Sequence, residues 1–522
     1  MMLARQIFFR WFLPLASGAL LALALPPVDS NELGWCALVP LLFAVDRCAR
    51  GEAFRRGYIA GLCFFGATVW WTVHVTLPGM VALVAFLALY FGAGAWWLAA
   101  VLERFDGGDS ALRNVAAAVL GAAGWVTLEW VRGWFLFGGF GWNGLGVTQH
   151  LAVPLLQCSS LTGVYGVSAL VCVVNLAFFF TIRRFIRQIG SDQPVRRLSW
   201  EFYLAALLVC GGFVWGFRQM RRDDSPRTLR VALVQGDIPQ QLKYDPADKP
   251  MTIDRYRTLT ERTLVLRPEL ILWPETAMTD PLRYDPESYA LVTDLTARAD
   301  APLLTGTIDL AGRDEFNAAV LTQPDGRVTG IYHKIHLVPF GEFIPLRRLA
   351  VPLLKWLGPK DYGVSEDYGF ARGDRYTLFE AGGLRFGAVI CFEDTLPDLY
   401  RRFVQGGADF MVNLTNDAWF KRSPASEMQL ANAVFRAAET RRPLVRVTNN
   451  GVTCVVDEFG FVDPQARLAP FTEGSLVWEL KVPRTSGMTF YTAHGDWFAG
   501  ACAIFTGIGC AALVRRRKPV RP

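Results

Sequence analysis

The segment GAVICFEDTLP, residues 387–397, is a short apolar run that ends in a cysteine and is followed at once by carboxylates. Such a run is typical of a buried strand, and Cys391 stands at its end beside Glu393 and Asp394. A structural cysteine in a core needs no such neighbours. A thiol with a pKa near 8.5 is mostly protonated at neutral pH, so a nucleophilic role requires a base and a cation from elsewhere in the chain.

This segment is one of several strand-like runs that alternate with helical stretches between residues 228 and 484. The alternation predicts an α/β layered domain over this range. Glu275 comes at the end of the run LILWPE, and Lys334 comes directly after the run GIYH. Because ligands collect beyond the carboxyl ends of strands in such sheets, we expect Glu275, Lys334 and Cys391 to share one pocket.

The three residue types meet the needs of a thiol nucleophile. Glu275 is expected to accept the proton of Cys391, and Lys334 to stabilise both the thiolate and the oxyanion of a tetrahedral intermediate. Glu393 is expected to position Lys334 through a charge-assisted bond. The alternatives are a packed core cysteine, a carboxylate at a helix start and a solvated lysine at a strand end.

Two other groups of residues have competing interpretations. His333 and His336 would suggest metal ligands together with Cys391, but on a strand they lie on opposite faces, so no metal site is predicted. Glu129 and Arg132 lie three residues apart within an apolar helix, where charged side chains are costly. They are either a buried structural pair or part of a site for lipid headgroups.

The composition is that of a membrane protein. Of 522 residues, 52% are hydrophobic and only 19% are charged, and the chain contains 17 Trp and 37 Phe. This is too apolar for an ordinary soluble protein of this length. About eight segments are predicted to cross a bilayer, the second of them short for a span: 7–25, 33–46, 57–76, 79–102, 112–134, 160–182, 201–217 and 495–514.

The net charge of +6 comes largely from arginines that cluster beside apolar segments, which indicates membrane topology and not nucleic-acid binding. Arginines are frequent in 46–57, 183–199 and the basic tail 515–522, whereas 26–33, 77–80 and 135–159 contain no Lys or Arg. The pattern predicts seven crossings within 1–220, an extracytoplasmic domain over 228–484, an eighth crossing at 495–514 and a cytoplasmic tail at 515–522. The positive-inside rule places arginines on the cytoplasmic side, yet Arg218, Arg221 and Arg222 fall on the outer side. Long translocated domains follow this rule only weakly.

Three motifs together resemble a known enzyme superfamily. WPETA (273–277), HKIHLVPFGEFIP (333–345) and CFED (391–394) are similar to the Glu-Lys-Cys motifs of the nitrilase superfamily, whose fold is a four-layer αββα sandwich. The apolar segments on both sides narrow the resemblance to the bacterial apolipoprotein N-acyltransferase family. Four further stretches are similar to that family, so the resemblance covers nearly the whole chain: 128–146, 234–240, 413–420 and 442–451.

The resemblance implies an acyl transfer in two steps at the bacterial inner membrane, with the catalytic domain in the periplasm. Cys391 would take the sn-1 acyl chain of a phospholipid, typically phosphatidylethanolamine, as a thioester. The α-amine of a diacylglyceryl-cysteine on an apolipoprotein would then accept that chain, which completes lipoprotein maturation. The resemblance implies no cofactor and no metal.

The resemblance also implies roles for residues around the triad. Glu342 and Glu393 would support it. Tyr244 stands where the family often has Trp, and Phe392 where it often has Tyr; both keep a ring with different hydrogen-bonding groups, and both are candidate substrate contacts. Asn416 and Trp419 are further candidates; the alternative for Asn416 is a structural role in bonding the loop backbone. The connection 337–375, with Trp356, Leu357 and Tyr362, is expected to act as a lid.

Two other functions compete with acyl transfer. The first is a membrane-tethered C–N hydrolase or amidase that uses the same triad with water as the acceptor. The second is a non-catalytic membrane protein for binding or assembly, which would have no need of Glu275, Lys334 and Cys391. Release of free fatty acid distinguishes the hydrolase, and retained function after loss of Cys391 distinguishes the binding protein.

Overall fold

The structure is a computed structural model that describes residues 8–106, 110–189, 199–221, 225–348, 369–484 and 487–514. The predicted basic tail 515–522, Arg222, part of the arginine-rich stretch 183–199 and the lid residues Trp356, Leu357 and Tyr362 lie outside these ranges.

The first part of the chain is helical. A π-helical turn at Phe8–Phe12 opens it, and 3₁₀ turns lie at Asn31–Trp35, Trp70–His74 and Leu145–Gln149. The α-helices are α1 Leu13–Leu23, α2 Val39–Val45, α3 Arg50–Thr68, α4 Leu77–Phe105, α5 Ala111–Arg132, α6 Val153–Leu156, α7 Ser159–Thr162, α8 Val164–Gln188 and α9 Trp200–Gln219.

Within the described ranges, the four helices α4, α5, α8 and α9 are long and apolar enough to cross a membrane. They coincide with the predicted spans 79–102, 112–134, 160–182 and 201–217. Shorter apolar helices cover Arg10–Leu23, Asn31–Val45 and Trp497–Ala512. Eight spans therefore remain a prediction, of which four have helices of sufficient length.

Small residues bring α3 and α4 into close contact. A Cβ atom at Gly57 would lie 2.3 Å from Ala95 Cβ and 2.5 Å from the Phe91 carbonyl oxygen, and one at Gly61 would lie 2.8 Å from Ala88 Cα. Close approach of backbones at small residues is the usual way in which membrane helices gain packing contacts, because lipid offers no hydrophobic driving force between them.

The second part contains two six-stranded sheets. The first sheet has the order β12-β1-β2-β3-β4-β5, and the second has the order β11-β10-β9-β8-β7-β6. The strands are β1 Arg227–Gln235, β2 Leu270–Leu272, β3 Leu303–Ala311, β4 Asp314–Thr322, β5 Val328–His333, β6 Leu378–Ala381, β7 Leu384–Ile390, β8 Phe410–Thr415, β9 Leu444–Thr448, β10 Cys454–Val456, β11 Val462–Arg467 and β12 Gly474–Val482.

Helices cover the outer faces of both sheets. They are α10 Gln240–Lys243, α11 Lys249–Leu264, α12 Pro286–Ala299, α13 Pro397–Gln405 and α14 Ala425–Thr440. The chain ends with α15 Phe490–His494 and α16 Trp497–Val514. In β1, Val231 and Leu233 belong to the core between the sheets, whereas Ala232 and Val234 pack with α11 and α12. This alternation, with period two, produces the αββα sandwich that the motifs implied.

Parallel strands place the polar residues of interest at one end of the sandwich. In the first sheet β2 runs parallel to both β1 and β3, and β5 has the same direction because two antiparallel pairings separate it from β3. In the second sheet β7, β8 and β9 are parallel. The backbone N–H of Ile335, after β5, donates to Glu393 Oε1, after β7, at 2.9 Å, so the segments that follow β2, β5 and β7 meet at the same edge of the sandwich.

The helical part contacts the sandwich directly. The Trp142 indole N–H donates to Thr395 Oγ1 at 3.0 Å, and the backbone N–H of Val164, at the start of α8, donates to Glu439 Oε1 at 2.9 Å. Thr395 lies four residues after Cys391, so the membrane helices join the sandwich beside the expected nucleophile.

Candidate active site

The chain turns sharply at Cys391. Strand β7 ends at Ile390, a 3₁₀ turn begins at Cys391, and Cys391 has a left-handed φ of 56°. A non-glycine residue keeps such a conformation only when its surroundings hold it there. Its carbonyl oxygen accepts hydrogen bonds from Asn413 Nδ2 at 2.9 Å and Gln429 Nε2 at 3.0 Å. Gln429 in turn donates to Asp394 Oδ1 at 2.9 Å, and Arg446 donates to Asp394 Oδ2 at 3.1 Å.

Glu275 is buried and held by both of its carboxylate oxygens. Oε1 accepts from Asn317 Nδ2 at 2.8 Å, and Oε2 accepts from the Asn416 backbone N–H at 2.9 Å. The Lys334 ammonium lies 3.6 Å from Oε1. The backbone here packs against Gly306, where a Cβ atom would lie 2.6 Å from Glu275 Cα. The structure therefore places Glu275 beside Lys334 with a fixed orientation.

Lys334 is almost fully buried between two carboxylates. Its Nζ donates to Glu342 Oε1 at 2.9 Å, and Asn317 Nδ2 donates to the same oxygen at 2.8 Å. Glu342 Oε2 accepts from the Val338 backbone N–H at 2.8 Å. The Lys334 ammonium also lies 5.6 Å from the centre of the Phe392 ring, next to Cys391. Glu342 is thus the direct ion-pair partner of Lys334.

Glu393 does not bond Lys334 as the sequence led us to expect. Among the described residues it accepts instead from the backbone N–H groups of Ile390, Ile335 and His336 at 2.8 to 2.9 Å, and from the Tyr332 hydroxyl. The 3₁₀ turn directs this carboxylate at the backbone on either side of Lys334. Glu393 therefore positions the segment and not the ammonium itself.

Burial and charge set the protonation states of the site. Burial raises the pKa of Glu275, although Lys334 opposes that shift. Burial and the nearby Glu275 raise the pKa of the Cys391 thiol well above its usual range, against the opposing effect of Lys334. Burial alone would lower the pKa of Lys334, but Glu342 and Glu275 raise it. In the resting site the sulfur is therefore a thiol and the lysine is a cation.

Two functional candidates were missed from the sequence. Asn317 bridges Glu275 and Glu342, and its carbonyl accepts from the Lys334 backbone N–H at 2.9 Å. Asp325-Gly326 is a typical hairpin-turn sequence, and pairing outward from it would have found Asn317, because that register sets residue 317 opposite residue 334.

Lys243 is the second. It is buried, and its Nζ donates to the Glu275 carbonyl oxygen at 3.0 Å. Burial lowers the pKa of Lys243 to about 7, with Glu275 opposing the shift. Nothing in the polar stretch QQLKYD distinguishes this lysine from one on the surface, so its burial had no signal in the sequence.

The predicted substrate contacts fall into two groups. Tyr244 and Trp419 are about half exposed, at 49% and 50%, whereas Asn416 is buried. Asn416 Nδ2 donates to Gln240 Oε1 at 2.9 Å, and its Oδ1 accepts from Asn449 Nδ2 at 3.0 Å, so its side chain ties loops together.

Phe392 belongs to an aromatic cluster that joins the two parts of the chain. With it pack Trp71, Phe140 and Trp142 of the helical part and Phe420 of the sandwich. Within the ranges that the structure covers, no three His, Cys, Asp or Glu side chains group in a way that could hold a metal ion. His333 Nε2 lies 2.8 Å from Asp309 Oδ2.

Comparison with known proteins extends over both parts. Residues 17–177 match the family model of the apolipoprotein N-acyltransferase N-terminal domain, and residues 230–488 match that of carbon-nitrogen hydrolases. The crystal structure of XC1258 from Xanthomonas campestris, a CN-hydrolase superfamily protein, covers 57% of this chain and 100% of that chain at 19% identity and a TM-score of 0.37.

Curated relatives extend over nearly the full length. The apolipoprotein N-acyltransferase of Geobacter metallireducens is 34% identical over 98% of this chain and 96% of its own length. That of Methylococcus capsulatus is 34% identical over 97% and 96%, and that of Chlorobaculum tepidum is 30% identical over 99% and 98%. With its apolar helices the chain is a membrane protein, and it belongs to the apolipoprotein N-acyltransferase family.

Proposed function

We propose that this chain transfers an acyl chain from the sn-1 position of a phospholipid to the N-terminal amine of an apolipoprotein, through a thioester on Cys391. The observation that carries the proposal is the meeting of Glu275, Lys334 and Cys391 at one edge of the sandwich, beside the contact between Trp142 and Thr395. The nucleophile thus stands where the membrane helices dock.

In the first step, Cys391 Sγ attacks the ester carbonyl carbon while Glu275 accepts the thiol proton. The proton moves with the attack, because the resting sulfur is not ionised. Lys334 Nζ stabilises the oxyanion of the tetrahedral intermediate. When the ester C–O bond breaks, Glu275 returns the proton to the glycerol oxygen, so that a lysophospholipid leaves and a thioester remains.

In the second step, the neutral α-amine of the diacylglyceryl-cysteine attacks the thioester carbon. Glu275 accepts a proton from the nitrogen, and Lys334 again stabilises the oxyanion. The C–S bond breaks, an amide forms, and Glu275 returns the proton to Cys391. The raised pKa of Glu275 suits a group that must both take and give a proton near neutral pH.

The membrane helices remove a large cost from this reaction. Both substrates are diacyl lipids, and drawing acyl chains into water costs about 0.8 kcal/mol for each CH₂ group. A pocket held at the bilayer surface avoids that cost. We place residues 1–220 and 495–514 in the bacterial inner membrane and the catalytic domain 228–484 in the periplasm. We propose phosphatidylethanolamine as the acyl donor.

Intact-mass measurement of the full chain isolated from membranes tests the first half-reaction. We expect a mass increase of one fatty acyl group that hydroxylamine removes and that Cys391→Ala lacks. Addition of a diacylglyceryl lipopeptide should then discharge the acyl group onto the peptide amine. Release of free fatty acid with an unmodified peptide would instead identify the hydrolase, and retained function in Cys391→Ala would identify a binding protein.

The proposed topology has a separate test. A reporter fused near residue 300 should be active only when it requires the periplasm. Activity of a reporter that works only in the cytosol would place the catalytic domain on the other side.

A further inference from the structure

Arg132, the last residue of α5, is a buried cation that forms no ion pair within 4.0 Å among the described residues. Its exposed fraction is 4%, and its Nη1 is buried with no hydrogen-bond partner among the described residues. Over the same ranges, no atom of the guanidinium makes a hydrogen bond or an ion pair. The guanidinium lies 5.2 Å from the centre of the Phe65 ring, which offers it only a π face. A buried cation without a direct ion-pair partner is costly at such a position.

Glu129 lines the same cleft as Arg132 but is not its direct ion-pair partner. No ion pair between Glu129 and Arg132 forms within 4.0 Å among the described residues. The Glu129 carboxylate accepts instead from the Trp125 indole N–H at 2.9 Å and from the Leu145 backbone N–H at 2.8 Å. Of the two interpretations open from the sequence, a buried ion pair between these residues is therefore excluded.

The guanidinium lines a cleft between α1, α3, α4 and α5 that has two kinds of wall. Glu129, Tyr90, Asn143 and Thr148 provide polar groups around Arg132, whereas Leu21, Phe64 and Phe91 provide an apolar surface. A cation beside an apolar wall matches a molecule with a phosphate group and hydrocarbon chains. We call this space the Arg132 cleft.

The cleft lies at the level of lipid headgroups. Directly after Arg132 come the exposed side chains of Trp134, Phe135, Leu136 and Phe137, and exposed aromatic residues of this kind mark the interface of a bilayer with water. The Phe137 ring lies 6.4 Å from that of Phe340, two residues before Glu342. The cleft is thus on the side of the bundle that faces the catalytic site.

Short contacts link the cleft to the nucleophile. The Phe140 backbone N–H donates to the Arg132 carbonyl oxygen at 2.8 Å, and Phe140 stacks on Trp142 with 5.7 Å between ring centres. Both rings belong to the aromatic cluster that contains Phe392, the neighbour of Cys391. A lipid anchored at Arg132 would therefore have its glycerol esters near the thiol.

We propose that Arg132 binds the phosphate of the glycerophospholipid acyl donor in the Arg132 cleft. This inference rests on the proposed function and specifies its donor site. Because the diacylglyceryl-cysteine acceptor carries no phosphate, Arg132 acts only in the formation of the thioester and in the release of the lysophospholipid.

Donor preference in the purified full-length chain tests the assignment. In mixed micelles, Cys391 acylation is followed by intact mass with phosphatidylethanolamine and with a diacylglycerol of the same acyl chains. Arg132→Gln should lower acylation by phosphatidylethanolamine about 10- to 100-fold, the range for a hydrogen bond to a charged group, and should leave acylation by diacylglycerol unchanged. Arg132→Lys should keep most of the preference. An equal loss with both donors, or no loss with phosphatidylethanolamine, would overturn the proposal.

The matched control is Arg183→Gln, which removes another buried arginine of a membrane helix, one that pairs with Asp46 at 3.1 Å. It should not change the ratio of the two donors. Loss of Arg132 should also leave the melting temperature unchanged or raised, because an unpaired buried charge is removed. A lower melting temperature for Arg132→Gln, with the donor ratio intact, would assign Arg132 a structural role and overturn the proposal.

Two further measurements separate the possible failures. If the site binds any phosphate, inorganic phosphate should compete with phosphatidylethanolamine less in Arg132→Gln than in the wild type. If inorganic phosphate does not compete in the wild type and Arg132→Gln is still defective, the site binds lipid phosphate alone. Equal competition in both proteins would overturn the role of Arg132. A wild-type chain that neither donor acylates contradicts the proposed function itself. Transfer from a preformed thioester to a lipopeptide should be unaffected by Arg132→Gln.

Discussion

The two sheets of the sandwich hold the proposed catalytic residues in different ways. In the first sheet, Glu275 and Lys334 are fixed through side chains, with Asn317 as a bridge to Glu342. In the second sheet, Cys391 is fixed through its backbone: the carbonyl oxygen is bonded, and the sulfur is left for chemistry. The proposed proton acceptor and the cation are thus held at their functional atoms, whereas among the described residues the proposed nucleophile is held through its carbonyl oxygen and not through its sulfur.

The largest loss of acylation rate should follow from a substitution at Glu275, in the first sheet. Glu275→Gln keeps the size of the side chain but removes the proton acceptor, so acylation of Cys391 should fall by about 10²- to 10⁴-fold. Single-turnover acylation followed by intact mass is the measurement, and Glu380→Gln, an exposed position on β6, is the control. A variant that retains more than a tenth of the wild-type rate would show that another group accepts the proton.

Loss of the bridge between the carboxylates should have the next largest effect. Asn317→Ala leaves Glu275 Oε1 and Glu342 Oε1 without their shared donor, which weakens the orientation of both and raises the pKa of Glu275. We expect a drop in the acylation rate of about tenfold to hundredfold, as for the loss of a hydrogen bond to a charged group. Asn317→Asp should be worse, because a third carboxylate would face the other two.

The second sheet should be more tolerant. Gln429→Ala removes one of two donors to the Cys391 carbonyl and one donor to Asp394. Because Asn413 still bonds the carbonyl and Arg446 still bonds Asp394, the rate should fall by only about tenfold. Gln405→Ala is the matched control, since that glutamine also donates to a backbone carbonyl, that of Thr492 at 2.8 Å. Equal losses for Gln429→Ala and Asn317→Ala would remove the distinction between the sheets.

The smallest expected effect is a shift in the pH dependence of acylation when Lys243 is replaced. Lys243, with its pKa lowered to about 7 by burial, is charged below pH 7 and neutral above it. While charged, Lys243 lowers the pKa of Glu275, as Lys334 also does, whereas Glu342 raises it. Lys243→Met should therefore shift the acid limb of the acylation profile to higher pH by less than one unit and leave the rate above pH 8 nearly unchanged.

The control for this shift is Lys243→Arg, which stays protonated throughout and should keep the acid limb at low pH. A loss in Lys243→Met by the same factor at every pH would mean that Lys243 only supports the Glu275 backbone through the bond to its carbonyl oxygen.

The sequence predicted those features of the site that depend on where strands end. The convergence of Glu275, Lys334 and Cys391 followed from their positions after apolar runs, and the two-layer sheet arrangement followed from the motifs. The partner of Glu393 was predicted wrongly, because the direction of a side chain in a 3₁₀ turn does not follow from strand alternation. Lys243 could not be found, since burial of a polar residue depends on which loop covers it.

The membrane part shows the same limit. Four of the predicted spans have helices long enough to cross, because length and apolar composition are local properties. The fate of Glu129 and Arg132 was open from sequence, since spacing of three residues on a helix permits an ion pair but does not require one. The Glu129 carboxylate instead accepts hydrogen bonds from the Trp125 indole and the Leu145 backbone, and the spacing of Glu129 and Arg132 gives no indication of either partner.

The pairing of β1 with β12 has a consequence for biogenesis. These strands are the first and the last of the sandwich, and they pair from Arg227 opposite Val482 to Gln235 opposite Gly474. During synthesis β1 must therefore wait, with one edge open, until more than two hundred further residues have emerged. A chain whose synthesis stops before residue 474 leaves that edge of β1 open to pairing with other chains.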